Sequence, residues 1–243
     1  MTRALTRTHF HSSRLLRILT DLACVDGGAS GGAFAERLGL WVDYTDAITL
    51  CAVHNSAAAN LPAIPAPAQP VAAAEFARQR ASLERAIASS SPPPPDAAEA
   101  AVLEAEGLTA RDIGNAFEPY RRYYLAQQRE LELKLPPLRS RVRDTLAQGS
   151  TALRQLAALD AALEGILAER EGRLLAALPQ LLRKRFTHLL KNQAGLQPAA
   201  QPGAWLADFC QELQTVLLAE LDLRLQPALG LIEALSHDTT RTP

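Results

Sequence analysis

Leucine and alanine recur at three- and four-residue spacing along almost the whole chain, and no stretch alternates apolar and polar residues strictly in twos. A 3.6-residue period brings such positions onto one face of a helix, whereas a strand needs a period of two. The β-branched and aromatic residues that strands favour are sparse. The apolar share of 48% suffices for a real core and rules out wholesale disorder. The sequence therefore predicts an all-α fold: a long antiparallel helical bundle with a small N-terminal helical unit.

Punctuation divides the chain into three regions. Residues 1–59 read as a three-helix unit. Ser12 or Ser13 caps a first helix with Leu15, Leu16, Ile18, Leu19 and Leu22 on its apolar face. Gly27, Gly28, Gly31 and Gly32 break it, Ser30 caps a short second helix with Phe34, Leu38 and Leu40, and Asp43 or Thr45 caps a third through Ile48, Leu50 and Val53. Residues 60–107 read as Pro/Ala-rich linkers with short helices. A Pro/Ala run at 60–71 precedes a helix at 72–89 with Phe76, Leu83 and Ile87 on one side. SSSPPPP then ends at Pro95, a stiff polyproline II spacer, and Asp96 opens an alanine-rich helix to Gly107.

Residues 108–237 read as the long-helix bundle. Phe117, Tyr120, Tyr124, Leu131 and Leu135 outline a helix from about Thr109 to Pro136-Pro137, a pair expected to kink or restart it. Leu138, Val142 and Leu146 continue the stripe to Gly149. Ser150 or Thr151 opens the next helix, with coiled-coil-like spacing from Leu153 to Leu167. Pro179 should bend or restart it before Leu182, Phe186, Leu189 and Leu190. Gly195–Gly203 form a turn, and a last helix carries Trp205, Phe209, Leu213, Val216 and Leu217, with Pro227 interrupting it. Short connections between long helices imply antiparallel neighbours. Between Arg139 and Lys191 there are ten basic and five acidic residues; between Gly203 and Asp238 there are six acidic residues and only Arg224. Opposite fields on successive helices suit their docking, within one chain or between chains.

The net charge of -1 lacks the basic excess usual in a dedicated nucleic-acid binder. Lysine occurs only at Lys134, Lys184 and Lys191, so arginine carries nearly all the positive charge. Cys24, Cys51 and Cys210 are odd in number and widely spaced, which argues against a disulfide framework and for a reducing compartment. No secretory signal and no membrane-spanning run is read. The expected location is cytoplasmic.

Candidate sites are few. GGASGG at 27–32 resembles a phosphate loop in composition, but no strand precedes it and no Lys-Ser or Lys-Thr follows. His9 and His11 lack further ligands at matching spacing. Trp41, Asp43, Tyr44 and Asp46 gather in WVDYTDAI, where the two carboxylates read first as helix-start chemistry and second as an enzyme site. No catalytic residues, metal or cofactor are expected. Three basic patches remain as interaction candidates: Arg121, Arg122 and Tyr123; Arg139, Arg141 and Arg143; and Arg183, Lys184 and Arg185. Arginine forks and interleaved aromatics suit phosphates and bases if the patches share a face. The acidic last helix is their competing internal partner.

SSRLLRILTDL at 12–22 and FAERLGLWVDYTDAI at 34–48 carry a resemblance. The opening of the chain resembles a proteobacterial family of functionally uncharacterised proteins, the domain of unknown function 3348. The resemblance implies a cytosolic accessory of envelope or motor-like membrane proteins and brings no catalytic residues with it. The expected function is a non-enzymatic helical adaptor or accessory protein making protein–protein contacts, with an envelope-associated partner. The alternative is nucleic-acid binding through the arginine patches. A homo-oligomer is compatible with either.

Overall fold

The apolar stripe that begins at Phe117 runs on without a break to Leu146, and it settles how the bundle is built. In the computed structural model, residues 13–22, 41–55, 69–93, 109–193 and 204–239 are described. They form α1 (Arg14–Asp21), α2 (Tyr44–Asn55), α3 (Gln69–Ser89), α4 (Ala110–Leu146), α5 (Thr151–Leu175), α6 (Leu178–Gln193) and α7 (Ala204–Thr239), with no strand among the described residues. The all-α expectation holds. The second short helix of the N-terminal unit, GGASGG, His9, His11, the helix opened by Asp96 and the turn at 195–203 lie outside the described residues.

Several helix starts are written locally. The Ser13 hydroxyl accepts from Leu16 N–H at 3.2 Å, and the Ser150 hydroxyl from Leu153 N–H at 3.4 Å. Thr109 and Asp112 form a reciprocal capping box: each side chain accepts the other's backbone amide. The Thr109 hydroxyl also donates to the Asp112 carboxylate at 2.6 Å, and this bond, with that from the Thr109 amide, holds the Asp112 carboxyl below its ordinary value.

One proline expectation is corrected and one narrowed. Pro136 and Pro137 do not restart a helix; they lie inside the 37-residue α4, as Pro227 lies inside the 36-residue α7. Each proline removes a donor to the carbonyl four residues back. For the pair these are Glu132 and Leu133, both on the exposed side of α4. Meanwhile Leu131, Leu135, Leu138, Val142 and Leu146 stay buried on both sides of the prolines. Packing along that stripe offsets the lost bonds. Pro179 does what the sequence suggests. Helix α5 ends at Leu175, and Pro179 occupies the first turn of α6, where its missing N–H has no intrahelical acceptor to lose.

Side-chain contacts fix the directions. Helix α5 runs antiparallel to α4, with Asp160 beside Arg139 and Leu175 beside Gln128. Helix α6 continues that course, placing Phe186 against Phe117 and Tyr120. Helix α7 then returns, so that Phe117 meets Phe209 and Tyr124 meets Glu220. With α5 and α6 counted as one rod, successive rods are thus antiparallel, and α4 and α7 are parallel. A fourth rod comes from the region read as linkers: α3 begins at Gln69, taking up residues assigned to the Pro/Ala run, with Pro70 in its first turn. It lies antiparallel to α4 and α7, pairing Glu75 with Arg141, Arg80 with Asp222, and Ser90 with Tyr123 and Gln214. Phe76, Leu83 and Ile87 enter the core, as the spacing predicts. Helix α1 packs on α7 and α2 on α5, so the described helices of the N-terminal region sit on different rods.

Cys51 is exposed, whereas Cys210 is half-buried and burial pushes its thiol up to about 11. With Cys24 replaced by serine, a disulfide reagent at pH 8 should modify Cys51 first. Cys210 should follow on the order of tenfold more slowly, because its smaller thiolate fraction outweighs its greater nucleophilicity. Equal rates for the two thiols would contradict this burial.

Candidate functional site

Two adjoining features concentrate the polar chemistry of the bundle. The first is a buried seam between α4 and α7. Tyr124 and Gln128 stand one turn apart on α4, and Glu220 and Arg224 one turn apart on α7. The Glu220 carboxylate is fully buried. It accepts from Tyr124 Oη at 2.7 Å, from Gln128 Nε2 at 3.1 Å and from Arg224 Nε at 2.9 Å. Gln128 Nε2 also donates to Leu175 O at 3.1 Å, which ties the end of α5 to the seam. Burial first, and then the Glu220 carboxylate, push the Tyr124 phenol well above its ordinary value, so it stays a donor.

The second feature is a four-membered charge cluster between α4 and α5. Arg139 forks onto Asp160 through Nε at 2.9 Å and Nη2 at 2.6 Å. Arg143 reaches Asp160 at 3.2 Å and also Glu164. A groove of about 460 Å³ runs from this cluster to Arg224 between α4, α5 and α7, with Leu163, Leu167 and Pro227 on its walls.

The nine interaction candidates separate once placed. Arg121 and Arg122 both turn to Glu118, at 3.2 and 3.9 Å. The Tyr123 hydroxyl donates to Ser90 O at 2.7 Å and so anchors the end of α3. The Arg139–Arg143 patch is split: Arg139 and Arg143 face α5, while Arg141 reaches Glu75 of α3 at 3.4 Å. Arg185 forks onto Glu212 of α7 at 2.8 and 2.5 Å. Arg183 and Lys184 stay on the exposed side of α6. The acidic last helix therefore takes only Arg185 from the three patches. Its Asp222 binds Arg14 and Arg80 instead, at 2.6 and 2.9 Å.

Asp43 and Asp46 close a reciprocal cap at the start of α2, each accepting the other's backbone amide at 2.8 and 3.1 Å. That is the helix-start chemistry expected of them. Sequence reasoning missed Gln128, Asp160 and Glu220. The available signal was weak: Glu220 sits among Leu217, Ala219 and Leu221, one turn before the only arginine of an acidic helix. Among the described residues, no group of three or more His, Cys, Asp or Glu side chains is placed to hold a metal ion, and no helix is long and apolar enough to cross a membrane.

A family model described as "Protein of unknown function (DUF3348)" matches residues 1–237. The chain belongs to that family. The match spans both the N-terminal segments that carry the resemblance and the helical bundle up to the last two residues of α7. Among curated proteins and among solved structures, none is significantly similar to this member of the family.

Proposed function

We propose that the chain is a non-enzymatic helical adaptor whose docking element is α2. The observation that carries this reading is a mismatch between composition and burial. Helix α2, YTDAITLCAVHN, holds few charges, yet none of its residues is buried. It lies along α5, with Leu50 and Val53 half-covered and Gln155 Nε2 donating to His54 O at 2.6 Å. Tyr44 and Ile48, one turn apart, face outward at 82% and 53% exposure, and Trp41 just before the cap is 41% exposed. Apolar side chains left in water on an anchored helix favour a partner that covers them.

The occupant we assign is one amphipathic helix of a protein partner. Tyr44 and Ile48 span about 6 Å of helix axis, the scale of a helix-on-helix anchor. A stable pair of copies needs a surface of ~1,200–2,000 Å², which a patch of this size does not supply. Their flanking carboxylates are already used in the cap, so the contact is apolar rather than charged. In keeping with the family resemblance, the partner is envelope-associated and the adaptor works on its cytoplasmic side.

The test starts with affinity purification of the tagged full chain from its own cells, in detergent and with nuclease. A Tyr44→Glu/Ile48→Glu variant is run beside it. The protein enriched by the parent chain is then purified and titrated against both. Binding to the parent, with at least a tenfold loss in the variant at an unchanged melting temperature, supports the reading. An empty purification, or equal binding by the variant, rejects it.

A further inference from the structure

We infer that the exposed face of α6 binds the phosphate backbone of double-stranded nucleic acid. Helix α6 carries Arg183, Lys184, Arg185 and Lys191 and no acidic residue. Only Arg185 is spent internally, on Glu212. Arg183, Lys184 and Lys191 are exposed and, among the described residues, have no carboxylate within ion-pair distance. The contrast with Arg139 and Arg143, both neutralised by Asp160 and Glu164, marks this face as the part of the candidate arginine set that stays available.

The three cations share one stripe. Gln180, the adjacent pairs Arg183-Lys184 and Thr187-His188, and Lys191 recur turn by turn along one side of the helix and line a concavity of about 540 Å³. From end to end the stripe covers roughly 16 Å at ~1.5 Å per residue. The opposite face of α6 is locked in the core, with Leu182 and Phe186 fully buried. The stripe is therefore held on a rigid rod.

Two features narrow the partner. A membrane surface helix needs apolar side chains to insert beside its basic ones. Here those side chains are buried in the bundle, and the stripe has none. Single-stranded nucleic acid is gripped by stacking on aromatic rings. The stripe offers a single imidazole, His188, and no succession of rings on which neighbouring bases could stack, since Phe186 faces inward. What remains is contact with phosphates at regular spacing along a duplex, which positions without reading sequence. Three neutralised phosphates give an affinity that falls about 40-fold between 50 and 200 mM salt.

Fluorescence anisotropy of a labelled 20-base-pair DNA duplex against the full chain measures this directly. A duplex RNA of the same length is a second arm, and vesicles containing phosphatidylserine a third. The expected result is salt-sensitive binding to the duplexes. Arg183→Gln/Lys184→Gln/Lys191→Gln should weaken it at least tenfold at 50 mM salt with the melting temperature retained, and Lys191→Gln alone should weaken it in the same direction. No duplex binding at 50 mM salt, equal binding by the triple variant, or tighter binding to the vesicles than to either duplex would each overturn the inference. This inference is independent of the adaptor reading, because neither set of substitutions touches the other's surface.

Discussion

Replacing Arg224 by methionine is expected to destabilise the protein by ~3–5 kcal/mol, read as a shift of the urea unfolding midpoint. The Arg224 side chain is only 11% exposed, and its Nη2 lies 2.8 Å from the Glu220 carboxylate, which has no access to water of its own. Methionine keeps most of the volume and removes the only cation among the hydrogen-bond donors to Glu220. Tyr124 and Gln128 still donate, but neither carries charge. The loss thus measures an unpaired buried carboxylate rather than a cavity. Glu220→Gln added to Arg224→Met should restore more than half of the loss, since an amide oxygen still accepts from Tyr124 without needing a counter-charge. If the double variant is no better than the single one, the seam does not work as described.

The second large effect belongs to Phe186. Its ring centroid stands 5.2 Å from those of Trp205 and Phe209, 5.6 Å from Phe117 and 5.8 Å from Tyr120. Three helices meet through this one side chain, which is fully buried. Phe186→Ala should cost ~3–5 kcal/mol, because the surrounding rings cannot all close on the space it leaves. Near-perpendicular pairs such as Phe186–Phe209, tilted by 78°, add edge-to-face attraction to the burial. Leu133→Ala on the same bundle is the control: at 71% exposure its effect should stay within about 0.5 kcal/mol. Calorimetry that placed the two variants within 1 kcal/mol of each other would refute this assignment of the core.

The contrast between Phe186 and Leu133 shows where sequence reading succeeds and where it stops. The buried stripe from Phe117 to Leu146 follows directly from three- and four-residue spacing, and Leu133 falls outside it. Ser13, Thr109 and Ser150 are recognisable as caps because capping is a contact over three residues. The prolines at 136, 137 and 227 do not end their helices, for the opposite reason. Their local cost is plain in the sequence, while the packing that overrides it comes from helices far along the chain. The same holds for α3. Its apolar positions are visible, but nothing local says that a helix flanked by proline runs becomes a full rod of the bundle. The polar seam was the least legible part. Glu220 looks like one more surface acid until α4 brings Tyr124 and Gln128 to it. The arginine patches were found by composition, and only their pairing with Asp160, Glu164 and Glu212 separates the internal arginines from the exposed stripe on α6.

The grip of Arg14 on Asp222 spans 208 positions of sequence. During synthesis at ~5–20 residues per second, Arg14 is added to the chain roughly 10–40 s before the carboxylate it binds has been made. For that interval Leu15 and Leu19, buried in the finished protein, have no α7 to cover them. The bundle cannot close from its beginning. It waits for its last helix, so a chain that stops short of α7 presents its opening leucines to whatever else is in the cell.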